Sequence, residues 1–163
     1  VGFTGHKDPR IHLAMLGHDY PFDTCQLPLN CFDSSFEGRS FEHDVLPQLA
    51  LRGIAPIGMK SLGGEGRQVK QKVITAQEGL RYAMSLPVAT TVSGMDSMKV
   101  LRQNLKVATG FKPMSERQMN ALRRRVVEQA ADGRFELYKT SAKMEGPVGR
   151  KQHGFPDEQE LSA

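Results

Sequence analysis

Ile54-Ala55-Pro56-Ile57-Gly58-Met59-Lys60, followed at once by Ser61-Leu62-Gly63-Gly64-Glu65-Gly66, is the stretch on which the fold turns. Apolar residues fill both alternating sets of positions, the pattern of a strand covered on each side, as in a parallel sheet. Pro56 removes one ladder donor, and the glycines that follow mark a flexible exit loop. Just upstream, Phe41, Val45, Leu46, Leu49 and Ala50 recur at helical spacing until Gly53. Downstream, Val73 to Leu86 has Ala76, Leu80, Ala83 and Met84 on one side, with Pro87 as its stop. A buried strand between two helices is the core of the reading.

The same alternation continues in both directions. Val1 to Thr4 is a short apolar run closed by Gly5, and Asp8-Pro9 predicts a capped helix to about Leu16. Phe22 to Gln26 suits a second strand, and Asn30 to Gly38 reads as a loop. Val88 to Ser93 is rich in β-branched residues and predicts a fourth strand. Asp96 or Ser97 then caps a helix running to Gly110, and Ser115 opens a long amphipathic helix to Ala131. Beyond Gly133 the sequence is Lys-, Gly- and Gln-rich, so an extended or disordered tail is expected. Strands and helices alternate at roughly 30 residues, the arithmetic of βαβ units and an α/β class with a parallel sheet. A doubly wound sheet and part of a (β/α)8 barrel both fit. A complete barrel takes about 250 residues, so four units make about half of one.

The bulk numbers agree with one soluble-type domain. The chain has 163 residues, 39% of them hydrophobic and 25% charged, and nothing in it approaches the roughly 20 apolar residues of a membrane span. The net charge of +4 draws on Arg123, Arg124 and Arg125 and on Lys139, Lys143, Arg150 and Lys151. A solvated helix face and a basic tail account for these, and neither nucleic acid nor a membrane is expected as partner. Cys25 and Cys31 lack metal or redox spacing and predict two buried free thiols; no metal site is expected. Cytoplasm is the default location. The chain opens on Val1 with residues that read as the inside of an element, so an upstream portion is expected.

Four strand ends carry a more specific signal: Gly2-Phe3-Thr4-Gly5-His6, Gln26 to Asn30, Gly58 to Gly63, and Val92-Ser93-Gly94-Met95 leading to Gln103-Asn104. In this order and spacing they resemble the aldo/keto reductase family, from its fifth barrel strand to its end. The resemblance covers Val1 to about Val107, and the helix from Ser115 is similar to the family's last helix. It implies that residues 1–133 form the C-terminal half of a TIM-type (β/α)8 barrel, with residues 134–163 a basic tail.

The resemblance also implies a ligand, NADP or NAD, at the C-terminal strand ends. Thr4 and Gln26 would hold the nicotinamide carboxamide, Thr4 standing where the family usually has Ser and Gly5 where it usually has Asn. Met59 would pack on the nicotinamide ring. Lys60, Ser61, Leu62 and Gly63 would line the pyrophosphate, Ser93, Gly94 and Met95 the adenosine phosphate, and Asn104 the adenine. Val100 stands where an arginine for the 2′-phosphate is common, which weakens NADP preference, although Lys99 and Arg102 are near. His6 reads as a loop histidine.

The family's reaction is hydride transfer between the nicotinamide and a small carbonyl substrate, driven by a tyrosine, lysine, aspartate and histidine on its first four strands. None of the four maps onto this chain, so no catalytic residue is assigned. Two functions are expected from this. One is the cofactor-binding half of an NAD(P)-dependent oxidoreductase; the other is a non-catalytic nucleotide-binding or assembly module, self-associating through open barrel edges.

Overall fold

The deciding stretch forms its strand, and three others align beside it. The computed structural model of the chain describes residues 1–36, 39–141 and 151. β1 (Gly2–Thr4), β2 (Thr24–Pro28), β3 (Ala55–Met59) and β4 (Thr90–Thr91) form one sheet in sequence order, every pair parallel. α1 (Pro9–Leu16) follows β1, α2 (Leu46–Leu51) follows β2, and α3 (Arg67–Lys70) and α4 (Ala76–Ser85) follow β3. After β4 come α5 (Met98–Thr109), α6 (Glu116–Ala130) and α7 (Leu137–Thr140).

Local chemistry sets the boundaries. The Asp8 carboxylate accepts from the Arg10 amide at 2.9 Å and Pro9 is the first helical residue, so α1 begins where the sequence places it. α4 begins three residues later than expected, at Ala76, because Thr75 and Glu78 form a capping box. Ile74 is freed to enter the core. The expected helix from Phe41 opens as a wide π turn over Phe41–Val45, and regular helix resumes only at Leu46. Pro47 has no N–H to give, and its ring would crowd the carbonyl four residues earlier. β4 is two residues long, although Ala89 and Val92 extend its ladder to Pro56 and Gly58.

Side chains alternate across the sheet, and the two faces differ. Cys25 and Leu27 are fully buried with Leu16, Phe41, Leu49, Tyr82, Leu122 and Val126, so the core lies between the sheet and its helices. Thr24, Gln26, Ala55, Ile57 and Met59 point the other way and are only half-buried. This corrects the expectation that β3 is covered on both faces: the described residues supply one helical layer. Among them β1 and β4 each pair on one side only.

Cys25 and Cys31 are both free and wholly buried, and burial pushes each thiol up to about 12. The thiolate is the reactive form. Neither cysteine should therefore react with a thiol reagent such as 5,5′-dithiobis(2-nitrobenzoate) at pH 8 until the chain unfolds. Fast labelling of the folded chain would contradict this packing.

The tail beyond Gly133 departs from expectation. Phe135, Glu136, Tyr138 and Lys139 are all buried, and α7 lies among them. Residues 134–141 therefore pack against the domain; Lys143 and Arg150 lie outside the described residues, and Lys151 is exposed. Two of the cations assigned to a solvated surface are instead paired with buried acids. Lys139 is 4% exposed, and Arg123 is ion-paired with the buried Glu42. No helix among the described residues is long and apolar enough to cross a membrane.

Candidate functional site

The parallel register lines up one row of residues across all four strands: Thr4 beside Gln26, Gln26 beside Ile57, Ile57 beside Thr90. Thr4 and Gln26 are thus neighbours near the C-terminal end of the sheet, on its uncovered face. A hydroxyl and a carboxamide side by side there offer donors and acceptors to an amide. Two register pairs further on, Met59 stands beside Pro28 and is half-buried.

Gly5 has a local cause. A Cβ built on it would lie 2.8 Å from Cε1 of His12, so a larger residue requires that ring to move. His12 is 2% exposed, its Nε2 lies 3.2 Å from the Gln26 carbonyl oxygen, and its ring packs between Phe3 and Phe41. Burial holds its pKa below the ordinary histidine value. His12 was not among the sequence-predicted residues. It braces Gln26 through the backbone from an adjacent element.

The exit from β3 is a tight loop. Lys60, Gly63 and Gly66 have φ of 55°, 62° and 64°. Positive φ at a lysine is a strained backbone of the kind that persists where surroundings over-determine it. The surroundings here are specific. Asn30 Nδ2 lies 3.4 Å from the Lys60 carbonyl, Ser61 is 3% exposed, and a Cβ on Gly63 would lie 2.7 Å from the Phe135 carbonyl and 2.8 Å from the Gln68 amide. Gly63 is therefore fixed both by its φ and by the space around it. Gln68 is 1% exposed, and neither end of its amide has a partner among the described residues. Such a group costs about 1–3 kcal/mol left unsatisfied.

The third cluster follows β4. Ser97 caps α5, accepting from the Val100 amide at 3.2 Å, which settles the choice between Asp96 and Ser97. Asn104, 8% exposed, donates to the Ser93 hydroxyl at 3.0 Å. Both line a largely apolar cavity of about 380 Å³ between α4, β4 and α5, with Leu80, Met84, Thr91 and Met95. Ser93, Met95 and Asn104 are thereby brought together; Gly94 is exposed beside them. The predicted residues thus fall into three groups along one end of the sheet, in chain order.

A fourth cluster was invisible to local sequence rules. Tyr138 donates to Glu136 Oε1 at 2.5 Å, and Asn30 Nδ2 donates to both at 3.0 Å. Lys139 Nζ bonds Asp33 Oδ1 at 2.5 Å and Glu136 Oε2 at 2.9 Å. Burial raises the Glu136 pKa, with Lys139 opposing the rise, and holds the Tyr138 hydroxyl well above its ordinary value. The His6 ring meets Tyr138 edge-on at 5.9 Å. Tyr82 is equally buried, donating to Glu42 at 2.7 Å, and Tyr20 sits in a surface turn, 51% exposed.

No family model and no curated protein matches the chain. Solved structures do. The holo form of aldo-keto reductase AKR11C1 from Bacillus halodurans aligns with a TM-score of 0.56 at 11% identity, covering 76% of this chain and 49% of that one. The chain has the fold of half an aldo/keto reductase barrel. The apo form of the same reductase gives a TM-score of 0.54 at 12% identity, covering 75% of this chain and again 49% of its own. The half barrel therefore spans about half the length of the reductase that it matches, and its four strands take the parallel order that a barrel requires.

Proposed function

We propose that this half barrel is the nicotinamide-dinucleotide-binding part of an NAD(P)-dependent oxidoreductase acting on small carbonyl compounds. The observation that carries this is the succession of three binding features along one end of a parallel sheet: the Thr4–Gln26 pair, the strained loop Lys60–Gly63, and the Ser93–Asn104 pair at an apolar cavity. In a (β/α)8 barrel that end holds the ligand. The residues suit a dinucleotide in chemistry as well as order. An amide and a hydroxyl match a carboxamide, a loop with small residues and positive φ admits close approach of a pyrophosphate, and an apolar cavity with one amide suits a purine.

In this reading Thr4 and Gln26 hold the nicotinamide, Met59 packs on its ring, Lys60 to Gly63 meet the pyrophosphate, and Ser93, Gly94, Met95 and Asn104 the adenosine. The bound nicotinamide supplies the hydride; this chain's residues bind and orient it. Lys99 and Arg102, both exposed on α5, provide cations for a 2′-phosphate in place of Val100.

Fluorescence titration of the chain with NADPH and NADH tests the proposal. Saturable binding is expected, with Gln26→Leu weakening it about tenfold, the equivalent of one net hydrogen bond of roughly 1.4 kcal/mol. Absence of saturation by either nucleotide would remove the reading. A second reading, an assembly module in which two copies complete each other, is favoured by the one-sided pairing of β1 and β4 and by exposed Val1, Val92, Met95, Met98 and Leu105 nearby in sequence. A discrete dimer in size-exclusion chromatography that binds NADPH would join the two readings; a monomer that binds it would leave the first alone.

A further inference from the structure

We propose that Gly133–Thr140 is a brace for the loop Lys60–Gly66, so that docking of this segment and binding of a pyrophosphate-bearing nucleotide at the loop favour one another; the proposal rests on the cofactor reading above. The loop's own backbone bonds, from the Gly63 amide to the Lys60 carbonyl at 2.8 Å and from the Gly66 amide to the Leu62 carbonyl at 3.1 Å, hold it only in part. It contains three glycines and places Lys60, Gly63 and Gly66 at positive φ. The rest of what fixes it comes from outside. At its start, the single Asn30 amide reaches the Lys60 carbonyl, the Glu136 carboxylate and the Tyr138 hydroxyl, so loop and segment share one donor. At its middle, Gly63 fits against the Phe135 carbonyl with no room for a Cβ. The Lys60 ammonium also lies 5.9 Å from the Tyr138 ring centroid.

The segment, by contrast, is anchored independently of the loop. Lys139 ties Glu136 to Asp33, which in turn accepts from Ser40, Phe41 and Glu42, and the Phe135 ring packs on Phe32 at 5.2 Å. A firmly held segment thus touches the loop at two places and supplies part of what holds it. Ordering the loop over an anion removes freedom that the docked segment has already removed, and linkage makes the effect reciprocal. The unpartnered Gln68 amide under Gly63 marks the side of the loop where the structure is not yet satisfied. Glu136, Tyr138 and Asn30 are then positioning residues, acting on the nucleotide through the loop.

Hydrogen exchange on the 163-residue chain, with and without NADPH, reads the coupling at the amides of Glu136, Lys139 and Ser141, each donating to a carbonyl of the segment. NADPH is expected to slow their exchange by about tenfold, within the usual range of coupling between sites. Tyr138→Phe removes the hydroxyl that Asn30 and Glu136 share. It should weaken NADPH by about fivefold to tenfold while leaving adenosine 2′,5′-bisphosphate, which has no pyrophosphate bridge, within about twofold. Unchanged exchange on NADPH binding, or equal losses for the two nucleotides, would overturn the brace and leave the cofactor reading standing. Failure of the unmodified chain to bind NADPH overturns both, and is recognised without any variant. The exchange measurement stands by itself should Tyr138→Phe not fold.

Discussion

Lys139→Met is expected to bring the chain close to unfolding. The ammonium is internal, bonded to Asp33 at 2.5 Å and Glu136 at 2.9 Å and lying over the rings of Phe36 and Phe41 at 5.0 and 5.6 Å. Methionine keeps much of the volume and removes the only cation that these two carboxylates share among the described residues. Breaking a buried ion pair from one side costs about 3–5 kcal/mol, against a total of about 5–15 kcal/mol for an ordinary domain. Here one cation serves two acids, so the upper part of that range applies.

Urea denaturation followed by circular dichroism measures the effect, and pH gives it a sign. Burial already raises Glu136, and loss of Lys139 removes the main influence opposing the rise. A carboxyl whose folded pKa lies above its unfolded value contributes stability at low pH that is lost as pH rises through the folded pKa. The variant should therefore be closer to wild type at pH 5 than at pH 8. Adding Glu136→Gln should recover part of the loss. A decrease below about 1 kcal/mol at pH 8 would mean that the cluster is hydrated, and with it the anchoring of the whole segment would fall.

The elements that could be read from sequence are those whose cause is local. Ile54 to Met59 declares itself by an apolar run, and Asp8-Pro9, Asp96-Ser97 and Ser115 declare helix starts because a cap and the amide that donates to it lie within three residues. The same logic, applied more strictly, would have started α4 at Ala76, since Thr75 and Glu78 carry the capping box in plain view. Pro47 could have announced the interrupted helix at Phe41–Val45, though not that a π turn would precede it. Lys139 is different. Its burial depends on Asp33, 106 residues away, and in sequence a Lys-containing stretch after a glycine has the composition of a solvated tail.

The candidate site divides along the same line. Strand ends can be found from strand patterns, but Thr4, Gln26, Met59 and the Lys60–Gly63 loop were singled out among them by resemblance, and the structure puts them at or just beyond the C-terminal ends of β1, β2 and β3. Asn104 was placed by resemblance, and the structure gives it a partner in Ser93. The residues that hold those positions were not legible. His12 reaches the Gln26 carbonyl from α1, Asn30 reaches Lys60 from the loop after β2, and Gln68 lies beneath Gly63 from α3; no periodicity links any of them to its target.

Arg123→Leu is expected to cost about 3 kcal/mol, because Arg123 closes a polar triangle inside the helical layer. Its guanidinium is paired with Glu42, and its Nε donates to the Tyr82 hydroxyl at 2.6 Å, while Tyr82 donates to Glu42 at 2.7 Å. Glu42 is 7% exposed and Tyr82 fully buried, so the substitution leaves a largely desolvated carboxylate without its cation. Burial already pushes the Glu42 carboxyl above the usual range. The decisive comparison is a double variant. Arg123→Leu with Glu42→Gln should be more stable than Arg123→Leu alone, by about 1 kcal/mol or more, because the amide still pairs with Tyr82 and no uncompensated charge remains. Simple additivity of the two substitutions would show that the pair is exposed enough for water to screen it. The position of the triangle extends its consequence beyond stability. It ties α6 to α4 and to the Phe41–Val45 turn, and α6 leads directly into Gly133 and the segment that follows. Weakening it should therefore raise hydrogen exchange at Glu136 and Lys139 before the chain unfolds globally, the order of events expected when a locally held segment loses its support.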